Sequence, residues 1–431
     1  MTGDLPQGWK KHRLGDVLTL INGRAYKRRE MLNSGTPILR IQNLNGKENW
    51  FYSDLELPEN KYCEEGDLLY AWSATFGPYW YRGEKAIFHY HIWNVKTKPE
   101  ITKGFAYYEL LRITDAIKGA AHGVAMPHMT KTGMENWEIF LSPLPEQKRI
   151  VDKLDCLLAK VNVCKSRLDK VPEIIKRFRQ SVLADATSGK LTEGWREELN
   201  LGIDKWRYPK IEEIIESGPQ NGLYKPATFY GDYVNRIVRI GNFYSGEFIN
   251  WAKTKKLKLD PEELEKWALN QDDILINRVN SIEFLGKSTI VTDLPGDCVF
   301  ESNIMRFTVN KNSILPRYLV LFLGSGLGLN RLRENAKHAV NQASINQTDV
   351  KNVIINLPGM REQKEIVRRV DVLFSIADQM EEKLETAQHG VDKLTASILA
   401  KAFRGELVPQ DPNDELAEKL KNLNYDFNKT I

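Results

Sequence analysis

Two stretches of the chain carry apolar residues at alternating steps of four and three, the spacing of a helix that buries one narrow stripe. The first stripe runs Ile150, Leu154, Leu157, Val161, Cys164, Leu168, Val171, Ile175, Phe178 and Val182. The second runs Ile366, Val370, Leu373, Ala377, Met380, Leu384, Ala387, Val391, Leu394 and Ile398. The two stretches superimpose without a gap at an offset of 216 (362 − 146), from Glu146/Glu362 and Gln147/Gln363 through Asp155/Asp371 to Gly189/Gly405 and Leu191/Leu407. A 3.5-residue stripe over more than four heptads predicts a coiled-coil seam, and at 1.5 Å per residue each helix is roughly 50 Å long. A helix of that length cannot bury such a seam alone, so the expected partner of each copy is the other copy. Pro172 interrupts the first copy, where an interior proline costs on the order of 3 kcal/mol. Gly390 stands at nearly the same level of the second, so a kink or local break is expected at mid-length in both.

Between the helical stretches the pattern changes to short apolar runs punctuated by turns. Asp16–Ile21 before Asn22-Gly23 reads as a strand or short helix, and Pro37–Ile41, Asp67–Trp72, Ala86–Phe88 and Trp93–Val95 as strands, with turns at Gly46, Gly66, Gly77-Pro78 and Gly83. Phe105–Ile117 has helical spacing. The same plan returns more weakly downstream: Ile237–Asn242 echoes Ile38–Asn43, Asp273–Asn277 echoes Asp67–Ala71, and Tyr318–Phe322 echoes Tyr107–Leu111. Both segments close on a strand, Ile139–Leu141 and Val353–Ile355, followed by Leu-Pro. The expected division is a first head over 1–145, a helical spacer over 146–200, a second head over 201–358, a second spacer over 359–408 and a tail over 409–431. Leu416, Leu420 and Leu423 give that tail the spacing of a short docking helix. The fold class is α+β: two tandem α/β heads, separated and joined by two long helices, with an internal pseudo-two-fold repeat.

At 431 residues the chain is too long for one core, and its apolar (42%) and charged (27%) fractions are those of a soluble globular protein. No apolar run reaches membrane-spanning length, and the N-terminus lacks the apolar core of a signal peptide. Cys63, Cys156, Cys164 and Cys298 are scattered without metal-ligand spacing, which fits free thiols in a reducing cytoplasm. A net charge of +4 is mildly basic and does not by itself identify a nucleic-acid partner.

Candidate catalytic signatures fail one by one. Gly286-Lys287-Ser288 resembles the end of a phosphate-binding loop, but the leading glycine position is Ser281. Gly324, Gly326 and Gly328 follow a helix, where a loop after the helix end is the expected role. Glu381 and Lys383 fall on the coiled coil, where charges cover a solvated face. His89 and His91 have metal-like spacing, with His122 and His128 further on, but no carboxylate or thiol set completes a site. Neither an Asn-Pro-Pro-aromatic methylation motif nor a glycine-rich loop for S-adenosylmethionine is present. The chain reads as catalytically empty, with no catalytic, cofactor or metal residues to assign.

What remains is polar, basic and aromatic material in the loops of both heads. In the first this is Arg24, Tyr26, Lys27, Trp72, Ser73, Thr75, Arg82, His128 and Lys131. In the second it is Lys225, Asn277, Arg278, Asn280, Ser281, Lys287, Asn341 and Gln342. Arg, Asn, Gln and Lys are the side chains that make paired contacts to base edges, so these are candidate DNA-binding residues. Two unlike polar heads on a matched spacer fit a molecule that reads two different half-sites at a fixed separation.

In its most distinctive stretches the chain resembles the specificity subunits of Type I restriction-modification systems. These are LPEQKRI at 144–150 and REQKEI at 361–366, the helix ends SGKL at 188–191 and RGEL at 404–407, and the head segments LLYAWSATFG, AIFHYHIWNV, DDILINRVNS and VFESNIMRF. The resemblance covers nearly the whole chain. It implies two target-recognition domains, each reading half of a bipartite asymmetric sequence in double-stranded DNA, with the two long helices packed antiparallel. It also implies two modification (methyltransferase) subunits as partners, joined by restriction/translocase subunits. S-adenosylmethionine, ATP and Mg are then expected in those partners, and none in this chain. The rivals are a single-chain DNA methyltransferase or nuclease, which turnover by purified chain would reveal, and a coiled-coil adaptor, which salt-sensitive DNA binding would exclude.

Overall fold

A computed structural model describes residues 6–73, 75–117, 130–244, 248–340 and 342–414, and the backbone of 118–120. It divides into two compact units. The first comprises Met1–Asp169 with Thr386–Ile431, the second Lys170–Glu385. Each unit therefore holds one head, one segment of the first helical stretch and one segment of the second.

The strands of the first unit are β1 (Lys10–Arg13), β2 (Leu18–Asn22), β3 (Thr36–Leu39), β4 (Phe51–Ser53), β5 (Tyr62–Cys63), β6 (Leu68–Ala71), β7 (Gly77–Trp80), β8 (Ala86–Phe88), β9 (Ile92–Thr97) and β10 (Glu138–Leu141). They form an antiparallel sheet in the order β2-β9-β6-β7, a second sheet β4-β3-β8-β5 in which β3 and β8 run parallel, and the pair β1-β10. The strands of the second unit are β11 (Ile215–Asn221), β12 (Arg236–Val238), β13 (Lys255–Lys256), β14 (Ile274–Asn277), β15 (Val279–Asn280), β16 (Ser288–Ile290), β17 (Cys298–Phe300), β18 (Ile304–Val309), β19 (Lys337–Ala339) and β20 (Gln342–Ser344). Their sheets are β11-β18-β14-β16, then β13-β12-β17 with β12 and β17 parallel, and β15-β20-β19. The sheet β11-β18-β14-β16 repeats the order β2-β9-β6-β7, β13-β12-β17 repeats three of the four strands of β4-β3-β8-β5, and each sequence echo falls on an equivalent element: β3 on β12, β6 on β14, and helix Lys103–Ala120 on helix Pro316–Gly324. Asp16–Ile21 is both things expected of it, a helical turn at Leu14–Val17 running into β2. Val353–Ile355 is not a full strand; its segment makes only the isolated bridges Lys210↔Ile354 and Arg207↔Leu357.

The first helical stretch is two helices, Leu144–Leu168 and Val171–Ser188, with Pro172 in the first turn of the second. There its missing N–H is one that no helix partner needs. The second stretch is one helix, Met360–Ala402, unbroken through Gly390. A glycine weakens a helix but keeps its backbone donor, so the expected break occurs in the first copy alone. Lys165 pairs with Asp392 at 3.0 Å within the first unit, and Arg179 with Asp378 at 2.6 Å within the second. In each unit a segment of the first stretch thus lies beside a segment of the second.

The seam is partly as the pattern requires. Ile150, Leu154, Val161, Ile175, Val182, Ile366, Val370, Ala377, Leu384 and Ile398 are buried, and Leu157, Leu168 and Leu373 half-buried. Met380, Leu394 and Cys164 are exposed, and Phe374, outside the stripe, is buried. Buried stripe positions at both ends of the two stretches pack into the head cores, and the exposed ones lie between them. Each segment also closes a head core. Ile150, Leu154, Ile398 and Phe403 pack with Leu20, Tyr70, Trp93 and Phe105 in the first unit, and Val182, Ile366 and Val370 with Ile274, Phe307 and Leu319 in the second. The tail positions Leu416, Leu420 and Leu423 lie outside the described residues.

Candidate nucleic-acid interface

The repeated Glu-Gln pair fixes each head to the start of its helix. Gln147 accepts from the Thr102 amide at 2.8 Å and donates to the carbonyls of Glu100 and Ser142. Gln363 repeats this with the Leu315 amide and the carbonyls of Ser313 and Pro358. Glu146 accepts from the indole of Trp9 at 3.2 Å and from Gln410 at 2.9 Å. Glu362 accepts from the indole of Trp206 at 2.9 Å, from Thr192 at 2.7 Å and from Arg196 at 2.6 Å. The most recognisable residues of the chain are therefore buried fasteners, and the polar surface lies elsewhere.

In the first unit that surface is a rim at one edge of the sheets. Asn22 pairs with Trp93 and Ala71 with Ile92, so the ends of β2 and β6 meet the start of β9. The ends of β3 and β8 join them: the His89 amide donates to the Leu39 carbonyl, and Arg24 bridges to His89. A side chain at Gly23 would put a Cβ 2.4 Å from the Phe88 carbonyl, so only glycine fits this closure. The rim carries Arg24, Trp72, Ser73 and the His89-Tyr90-His91 turn. Trp72 donates its indole N–H to the Tyr90 carbonyl at 2.8 Å and packs edge-on against His91. Thr75 accepts from Asn45 at 2.8 Å. Burial, with a smaller contribution from His91 and Arg40, pushes the His89 imidazole down to about 4, and burial also lowers His91. Both rings are neutral at pH 7. Among the described residues no three His, Cys, Asp or Glu side chains converge as metal ligands.

The second unit has the corresponding rim. Gly222 approaches the Phe300 carbonyl as Gly23 approaches that of Phe88. The Arg278 amide donates to the Asn303 carbonyl at 2.8 Å and its guanidinium to the Ser302 carbonyl at 3.3 Å, while its buried Nε has no partner. The Arg278 carbonyl accepts from Ile345, and β15 pairs with β20 beside it. Arg278, Asn280, Ser281 and the exposed Gln342 are thereby gathered on one small sheet. Asn280 accepts from the Ser281 amide at 2.8 Å.

Several candidates are placed differently. Tyr26 is buried and donates its hydroxyl to the Phe88 carbonyl, beneath Arg24, which forks onto Glu30 at 2.9 and 3.2 Å. Lys27 is exposed beside that pair. Arg82 follows β7 at the opposite end of β6, because Trp80 pairs with Leu68. Lys131 pairs with Glu135 at 3.5 Å on a short helix that lies against Gly15, where β2 has yet to begin. Asn277 is fully buried, donating to the Phe284 carbonyl and accepting from the Val279 amide, so it shapes the loop that carries Arg278. Lys225 is held by Glu263 at 2.6 Å over the ring of Phe229, and Lys287 is buried against the rings of Tyr244 and Phe284. For Lys225 the carboxylate that occupies the charge lies far off in sequence, so local sequence leaves it open. His128 and Asn341 lie outside the described residues. Sequence reasoning passed over Arg40 and Arg239, although the repeated Arg-Ile-x-Asn was visible: the backbone amides of both arginines donate to the side chains of Asn43 and Asn242, at 3.1 and 2.8 Å.

The model of the Type I restriction modification DNA specificity domain matches residues 6–173 and again 203–388. The chain belongs to this family. Family members are similar along almost its whole length: the StySPI specificity subunit of Salmonella potsdam is 34% identical over 95% of this chain and 91% of its own, and the EcoKI specificity subunit of Escherichia coli K12 32% identical over the same shares. Among solved structures, a chain from a study of complex assembly and conformational transition in the Type I R-M system matches with a TM-score of 0.71 at 18% identity, covering 94% of this chain and all of that one. The HsdS subunit of Thermoanaerobacter tengcongensis matches at 0.54 and 20%, covering 94% of this chain and 99% of that one. The role of Type I specificity subunits is DNA target recognition within a restriction-modification complex, and they are its non-catalytic component. Among the described residues no helix is long and apolar enough to cross a membrane.

Proposed function

We propose that this specificity subunit reads a bipartite, asymmetric DNA sequence, one half with each rim, and assembles two modification subunits and the restriction subunits around itself in the cytoplasm. The target-recognition domains correspond to residues 1–145 and 201–358, with the helical stretches 146–200 and 359–408 between and after them. The observation that carries this is two heads of one topology whose rims differ in side chains. Trp72, Ser73 and the His89–His91 turn line one, beside the Arg24–Glu30 ion pair; Arg278, Asn280, Ser281 and Gln342 line the other. A shared scaffold with unlike contact residues is what recognition of two unlike half-sites requires. The chain bound to its modification subunits should prefer one duplex over random DNA, with affinity falling steeply as salt rises. Binding indifferent to both sequence and salt would leave a scaffold without a recognition role.

A further inference from the structure

We infer that Arg40 reads a guanine edge in the half-site of the first head, while its counterpart in the second head is locked away from DNA by an acid. The inference rests on the DNA reading proposed above and adds a contact residue to it. β3 and β12 each end in Arg-Ile-x-Asn, and their parallel partners β8 and β17 each end in Phe, followed by His89 in one head and Glu301 in the other. In the second head Glu301 accepts from the Arg239 guanidinium at 3.0 Å and from the Ile240 amide at 2.5 Å, so the arginine is neutralised in place. In the first head a neutral histidine stands where that carboxylate would be. Among the described residues no carboxylate pairs with Arg40, and its buried Nε has no acceptor. Its guanidinium lies 4.4 Å from the centre of the Phe51 ring, a cation–π contact that holds it beside the ring.

An arginine held against a ring, half-buried and without an acid lacks an acceptor pair that a ligand can supply. The O6 and N7 atoms of guanine in the major groove present two acceptors at the spacing of that fork. The lock in the second head shows that the position can be silenced by one residue, so the first head leaves it open where the second does not.

The test uses the full chain assembled with its modification subunits. The wild-type methylation map gives both half-sites, and Arg40→Lys keeps the charge and the stem while removing the fork. Binding of the specific duplex should fall by about tenfold or more, random duplex should be bound as before, and one G·C pair in one half-site should relax. Arg40→Gln should do the same with a larger loss. An equal loss on specific and random DNA makes Arg40 a phosphate contact and overturns the inference, as do unchanged half-sites in folded Arg40→Lys. A wild type without any sequence preference would overturn the DNA reading as well.

Discussion

Arg278 and Glu362 show how differently two charged residues of this chain are used. Arg278 sits on the second rim with its guanidinium tied to one carbonyl and its Nε unpaired. Arg278→Ala should cost roughly 1–3 kcal/mol in specific binding, confined to one half-site, with non-specific affinity retained. Competition binding on duplexes altered in either half would measure this, and equal losses on every duplex would mark a phosphate contact. Glu362 is buried against Arg196, so Glu362→Ala strands a cation in the core and should destabilise the second unit by about 3–5 kcal/mol. Among the described residues the hydrogen bonds to Glu146 come from the neutral groups of Trp9 and Gln410, and its loss should cost less, about 1–3 kcal/mol. Denaturant unfolding of the two variants would check the order; the reverse order would contradict the assignment of the buried ion pair. His89 adds a pH dependence. Its folded imidazole takes a proton only near pH 4, whereas the unfolded one does so near 6.5. Above 6.5 both are neutral; as pH falls from 6.5 to 4 the unfolded state binds the extra proton, so the first unit loses stability across that window. His89→Asn should flatten this loss relative to wild type, and parallel pH profiles would show that His89 does not cause it.

At the scale of elements, the sequence was most legible where periodicity and repetition coincided. The ungapped repeat located both helical stretches, and the echoes at Ile38, Asp67 and Tyr107 marked equivalent strands and helix. Burial along the seam was less legible, because which stripe positions the head cores cover, and the packing of Phe374, are not written in the spacing of apolar residues. Pro172 was a correct warning with an unexpected consequence. It begins a helix instead of distorting one, so Pro172→Ala should change stability by less than about 1 kcal/mol, whereas removing an interior proline should stabilise by about 3 kcal/mol. Urea unfolding distinguishes the two. The rims were harder to foresee. Strand ends distant in sequence converge there, and the partners that remove Lys225, Lys287 and Asn277 from the surface, or leave Arg40 without an acid, appear only once the sheets are assembled.

At the scale of the molecule, one head topology occurs twice, and the buried fasteners of its helices are repeated residue for residue while the rim side chains are not. The two halves of the target should therefore be separable. The direct measurement is the map of methylated bases in cells carrying this chain with its modification subunits, compared with a chain whose first head is exchanged for that of a relative. The account predicts a motif of two specified halves around unspecified bases, of which the exchange alters only one. A single contiguous motif, or a change in both halves, would contradict it.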